Sequence, residues 1–149
     1  MKKLPCSCRP WLILRQLCLL AAPAFAQSTA DEIEALLETS AVSYGQAARF
    51  VLDAAGVTVS AGQAFQYAAG QNWLPKKASV NEAARLDGVA LLVMRSFDIE
   101  GGLLYSLFKN PRYAYRELAY MEIIQGRIDP AMTVSGDTLL YIINKLLDN

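Results

Sequence analysis

The feature that most constrains this chain is a recurring helix-start and helix-stop grammar with almost no strand-type alternation between the marks. Ser43 with Gln46, Ser60 with Gln63 and Ser79 with Glu82 each have the spacing of a capping box, in which a hydroxyl and a longer polar side chain satisfy the orphan N–H groups of a helix start. Asn110-Pro111 opens a further helix, with Asn as cap and Pro at the first helical position, and Ser135 caps a last one running to Leu147. Stops fall at Gly56, Leu74-Pro75, Gln125-Gly126 and Asp129-Pro130. The class this implies is all-α, with about six to seven short helices in one compact domain.

Within that grammar the spans are Asp31 to Thr39, Ser43 to Ala55, Ser60 to Asn72, a helix ending near Phe97, a short apolar turn or helix at Leu103 to Phe108, Asn110 to Ile124, and Ser135 to Leu147. The start of the fourth is ambiguous, at Ser79 or near Arg85, because Gly88 interrupts the run. Asp31, Glu32 and Glu34 sit early in the first span, where the positive end of the helix dipole favours acids.

The leader alters what the composition means. Lys2 and Lys3, an apolar stretch from Leu17 to Phe25 and the small-residue pattern Ala24-Phe25-Ala26 predict a signal peptide over residues 1–26, cleaved before Gln27. The run is too short for a membrane span, which needs about 20 apolar residues. Cys18 is the one cysteine placed for lipidation, and Arg15-Gln16-Leu17 before it suits that chemistry poorly. The full chain carries 14 basic and 14 acidic residues, three Cys and no His. Cleavage would leave 123 residues with ten basic against fourteen acidic side chains and no Cys, since Cys6, Cys8 and Cys18 all lie in the leader. Stability must then come from apolar burial rather than disulfides. Thiol catalysis, Cys- or His-ligated metals and imidazole-based triads are excluded, no cofactor or metal site is indicated, and an acidic domain is no nucleic-acid binder. The implied location is the periplasm, the cell envelope or the exterior.

Compared with itself at an offset of 50 residues, the chain repeats an order of elements. Ala64-Phe65 falls over Ala114-Tyr115, Ala68 over Leu118, Trp73-Leu74 over Ile123-Ile124, Asp87 over Asp137 and Val89 over Leu139. The helix from Ser43 to Ala55 would be an additional copy of the second element. Glu122-Ile123-Ile124-Gln125-Gly126, followed by Pro130 and Val134-Ser135-Gly136-Asp137, resembles the S-layer homology domain, whose helices end in a Gly-Ile-Ile-x-Gly-like turn before a Pro-containing loop and a Thr-Arg-Ala-Glu helix start. The resemblance covers about Ser43 to Leu147 as roughly two degenerate units, and divides the chain into leader 1–26, a lead-in with a short helix 27–42, and an S-layer-homology-like domain 43–149. It implies an exported, non-catalytic module that anchors to a cell-wall polysaccharide or an envelope protein. Where the family motif has Arg this chain has Tyr44, Val80 or Leu86, and Gly136, which shifts the expected partner from anionic glycan toward protein.

The densest functional pattern is Arg112 to Tyr120. On a helix Arg112 and Arg116 lie four apart, Tyr113 lies over Glu117 and Arg116 over Tyr120. Guanidinium and phenol groups on neighbouring faces suit stacking on a sugar ring or clamping a carboxylate, and the same residues also suit a half-buried helix edge. Arg112, Tyr113, Arg116, Glu117 and Tyr120, with Gln125 and Arg127 in the following loop, are therefore the candidate binding residues; no residue is assigned to catalysis. Two other readings remain open: a small glycan-cleaving enzyme using Glu117 and a nearby Asp such as Asp129, and a structural subunit forming a homo-oligomer through an exposed apolar face. Asp98 with Glu100 is a second carboxylate pair, set in a Gly-rich turn, and Asp129 before Pro130 reads as turn chemistry. Lys76-Lys77 beside Trp73 reads as a solvated linker.

Overall fold

The computed structural model describes residues 23–126 and 129–148, with side chains from residue 30 onward. Most of the expected leader, including Cys18, lies outside the described residues. Among the described residues seven helices follow in order: α1 Pro23–Leu37, α2 Tyr44–Ala54, α3 Ala64–Gly70, α4 Leu86–Ser96, α5 Leu103–Phe108, α6 Pro111–Tyr120 and α7 Gly136–Leu147. Among the described residues the only strand-like pairings are the isolated bridges Ser43 with Ala83 and Arg85 with Thr133. The class is all-α.

The chain divides into two units, residues 1–35 and 36–149. In the first, α1 opens at Pro23, so the stretch Gln27 to Ala30, expected as a polar lead-in, is helical. Pro23 fits the first helical position, and nothing between it and Leu37 breaks a helix. The second unit begins at Leu36, earlier than the expected Ser43, because Leu36 is buried and the residues after it pair with the rest.

Three segments form the centre of the second unit. Val42 donates its N–H to the carbonyl of Val134 (2.8 Å), Val134 to Ala84 (2.9 Å), and Ala84 to Val42 (2.7 Å). Each of these three residues thus donates once and accepts once, and the three bonds close into a ring. Each residue is followed by a cap position and a helix, α2 after Ser43, α4 after Arg85 and α7 after Ser135. The apolar positions then fall in register: Ala47, Val89 and Leu139 lie three residues past the first helical residue, and Val51, Val93 and Ile143 four residues further, all buried. That spacing is one helical stripe per copy, turned toward a shared core.

The other helices repeat as well. The ends of α3 and α6 fall fifty residues apart in the same geometry: Asn72 and Glu122 take left-handed φ angles of 57° and 58°, and the N–H of Trp73 and Ile123 reach back to the carbonyls of Ala68 and Leu118. These six-to-one bonds are Schellman motifs, which satisfy carbonyls that a helix end would otherwise orphan. The ends of α2 and α4, at Gly56 (φ 72°) and Asp98 (φ 50°), do the same through Val57 to Leu52 and Ile99 to Met94. Helix α3 packs on α2, and α6 packs on α4. Three copies of the ring segment and its helix are present, where the sequence indicated roughly two units and an extra helix.

The ambiguous start resolves to Leu86. Ser79 does receive its capping-type bond, its N–H donating to Glu82 Oε2 at 3.2 Å, but the carbonyls of Val80 and Glu82 accept from Gly45 and Tyr44, so the segment stays a single turn and no helix follows from it. Gly88 is a packing requirement, because a Cβ there would strike the Tyr44 hydroxyl and sit 3.0 Å from Pro75 Cγ. The buried Tyr44 hydroxyl accepts the N–H of Arg85 at 3.3 Å, and the first-turn N–H groups of Leu86 and Asp87 donate to the carbonyls of Met132 and Pro130, so the helix start is satisfied without a side-chain cap.

Burial pushes the Tyr44 phenol above its ordinary value of 10.0, against the opposing effect of the Arg85 N–H, and burial raises Tyr105 likewise. The folded chain therefore prefers the neutral phenols. Their contribution to stability is complete below the unfolded value near pH 10 and is lost as pH rises beyond it through the raised folded values. Denaturant titrations between neutral pH and the alkaline range should show stability falling above pH 10, with a shallower fall in Tyr44→Phe. An identical slope in both proteins would contradict this assignment.

Candidate functional site

Helix α6 is amphipathic by spacing. Ala114 and Leu118 are fully buried against the core, while Tyr113, Arg116, Glu117 and Tyr120, at i, i+3, i+4 and i+7, lie on another face. Its start follows the expected chemistry, with the Asn110 side chain accepting the N–H of Arg112 at 3.3 Å and Pro111 in the first turn. It ends at Tyr120, four residues before the expected Ile124, because the turn through Glu122 folds Ile123 and Ile124 back into the core.

Helix α5 supplies the facing wall. Tyr113, Arg116, Glu117 and Tyr120 line an open groove of about 410 Å³ together with Leu103 and Leu104. Four of the seven candidate residues therefore share one site. Arg112 is exposed and outside the groove lining, Gln125 is exposed in the loop beyond the helix, and Arg127 lies outside the described residues. The Glu117 carboxylate lies against the Gly102 backbone, so closely that a Cβ on Gly102 would be 2.9 Å from Oε1. Tyr113 stacks on Phe108, with ring centroids 5.8 Å apart and planes at 27°, which pins the end of α5 to α6.

Leu103 and Leu104 were not singled out as site residues on sequence grounds. The signal available was an apolar hexapeptide directly after Gly101-Gly102, of which a helix could bury only one side.

Glu117 and Asp129 do not share a site, whereas Asp98 and Glu100 stay together. Glu117 shares its groove with an Arg and two Tyr, and no second carboxylate is among the lining residues. Asp129 caps its own turn, its Oδ1 accepting the N–H of Ala131 at 2.9 Å. Asp98 and Glu100 line a different depression with Arg95, Tyr105, Ser106 and Lys109. The Tyr105 hydroxyl is buried there without a hydrogen-bond partner. Trp73 is half-buried, with Tyr67 edge-on to it at 5.7 Å, so the Lys76-Lys77 spot adjoins a packed ring rather than a free one. Among the described residues no three metal-ligating side chains converge, and no helix is long and apolar enough to cross a membrane.

No family model, curated protein or solved structure matches this chain.

Proposed function

We propose that this protein is an exported, non-catalytic interaction module of the cell envelope, similar to S-layer homology repeats, that holds an envelope protein or a cell-wall glycan in the groove between α5 and α6. The carrying observation is the convergence of Tyr113, Arg116, Glu117 and Tyr120 with Leu103 and Leu104 on one open surface. Arg116 supplies a planar cation able to fork onto a carboxylate, the tyrosines supply stacking surface with polar tips, and Glu117 sets an acceptor beside them. Two leucines in the wall favour a protein side chain over a sugar ring, which stacks best on aromatic faces. The repeated helix ends support the resemblance, and the loss of the family's motif Arg also tilts the partner toward protein.

A pull-down from purified envelope fractions tests the reading. The unsubstituted protein should retain a component that Arg116→Ala and Tyr113→Ala each retain at about one-tenth the level or less, in keeping with Arg and Tyr as interface anchors. Retention of nothing by the parent, or equal retention by all three, would count against it.

A further inference from the structure

Helix α5 has no counterpart in the other half of the repeat. Nine residues join α2 to α3, whereas fourteen join α4 to α6, and the longer connection contains the whole of α5. The insertion adds little to the core. Tyr105 is its one buried side chain, at 4% exposure, while Leu103 is 90% exposed, Leu107 74% and Phe108 59%. Exposed large apolar side chains in this density mark an interaction surface rather than ordinary scatter.

The ridge is held in shape. The Tyr105 side chain roots it, Ser106 Oγ donates to the Gly101 carbonyl at 3.1 Å, Lys109 N–H donates to the Tyr105 carbonyl at 2.7 Å, and Phe108 stacks on Tyr113. Its charge is equally particular. From Gly101 to Arg116 there are three basic residues, Lys109, Arg112 and Arg116, with Glu100 and Glu117 flanking the stretch, while the rest of residues 27–149 has seven basic residues against fourteen acidic. All three cations are exposed.

We propose that the α5 ridge is an interfacial anchor that seats on an anionic lipid bilayer, inserting Leu107 and Phe108 at the headgroup boundary while Lys109 and Arg112 meet the lipid phosphates. The physics is that of a membrane-surface helix, in which apolar burial and attraction to anionic lipid act together. A six-residue helix is about 9 Å long, too short to cross a bilayer or to form a coiled-coil seam, but matched to shallow insertion. This anchor is a second activity, carried by side chains that are not among those lining the α6 groove.

Vesicle co-sedimentation of the full chain provides the test, using phosphatidylcholine vesicles with and without phosphatidylglycerol. Binding to the mixed vesicles should exceed binding to phosphatidylcholine alone. Leu107→Ser/Phe108→Ser and Lys109→Glu/Arg112→Glu should each weaken binding to the mixed vesicles by about tenfold or more. Because the leader segment is common to all these proteins, Phe108→Trp gives the site-specific readout: its emission, after subtraction of the parent's Trp11 and Trp73, should be quenched by brominated lipid. Unchanged binding in both double variants, or an unquenched Phe108→Trp, overturns the proposal. A dimer that dissociates in Leu107→Ser/Phe108→Ser while vesicles capture no protein overturns it in favour of a second copy. The groove reading fails separately, on Tyr113 and Arg116 in the pull-down.

Discussion

Gly136→Ala is expected to destabilise the folded chain by about 3 kcal/mol or more and to lower Tm by roughly 10 °C. Gly136 is the first residue of α7 and donates its N–H to the Thr39 carbonyl at 2.9 Å. A Cβ there would be driven into the backbone carbonyl of Leu36. The obstacle is main chain rather than the end of a flexible side chain, so it yields only if the stretch from Leu36 to Val42 moves away from α7, and that stretch carries Val42 into the ring. Gly62→Ala is the matched control: a Cβ there meets nothing within 4 Å, and its effect should be within about 0.5 kcal/mol of zero. Thermal and urea unfolding of the two variants would check the pair. Equal stability of Gly136→Ala and the parent would contradict the close approach.

Leu118→Ala should cost about 2–5 kcal/mol, the range for emptying a buried leucine site. Leu118 is fully buried where α6 packs on α4, and its carbonyl accepts the N–H of Ile123 in the Schellman turn. The site can collapse little, because Ala114 one turn earlier is already small and buried. Leu147→Ala, at a position more than half exposed near the end of α7, should cost under about 1 kcal/mol. Urea midpoints with unchanged m-values would establish the difference, and a cost below about 1 kcal/mol for Leu118→Ala would refute the packing described here. The groove should suffer with the core, since loosening α6 displaces Tyr113 and Arg116 relative to Leu103.

The helical class and most helix starts were legible because capping is local. Ser43 with Gln46, Asn110 with Arg112, and Ser135 with Thr138 form their expected bonds. The same locality misplaced one start and left another open between Ser79 and Arg85. Ser60 and Gln63 do hydrogen-bond through their side chains, yet α3 opens only at Ala64. Ser79 and Glu82 likewise pair without starting a helix, because their neighbours serve the distant Tyr44 and Gly45. A capping box reports a turn, and long-range backbone bonds decide whether a helix follows. The ring was not legible in sequence, since Val42, Ala84 and Val134 are ordinary small apolar residues whose meaning lies in which carbonyl each reaches. The α6 half of the groove was legible from its i, i+3, i+4, i+7 spacing. Its α5 half was not, because exposure of Leu103 and Leu104 depends on how α5 is seated, and that is set by Tyr105 and the Phe108 to Tyr113 stack.

The ring of Val42, Ala84 and Val134 fixes an integer. A stacked solenoid can gain or lose an internal repeat, because each copy touches only its neighbours. Here every N–H and carbonyl of the three-way junction is already taken by the next segment around, so no edge remains on which a fourth copy could pair. Duplication of one unit would leave the newcomer without a seat, and deletion of one would open two polar groups in the core. Change in such a protein must therefore enter between the copies rather than as further copies. The fourteen-residue connection containing α5 is where this chain has accepted it.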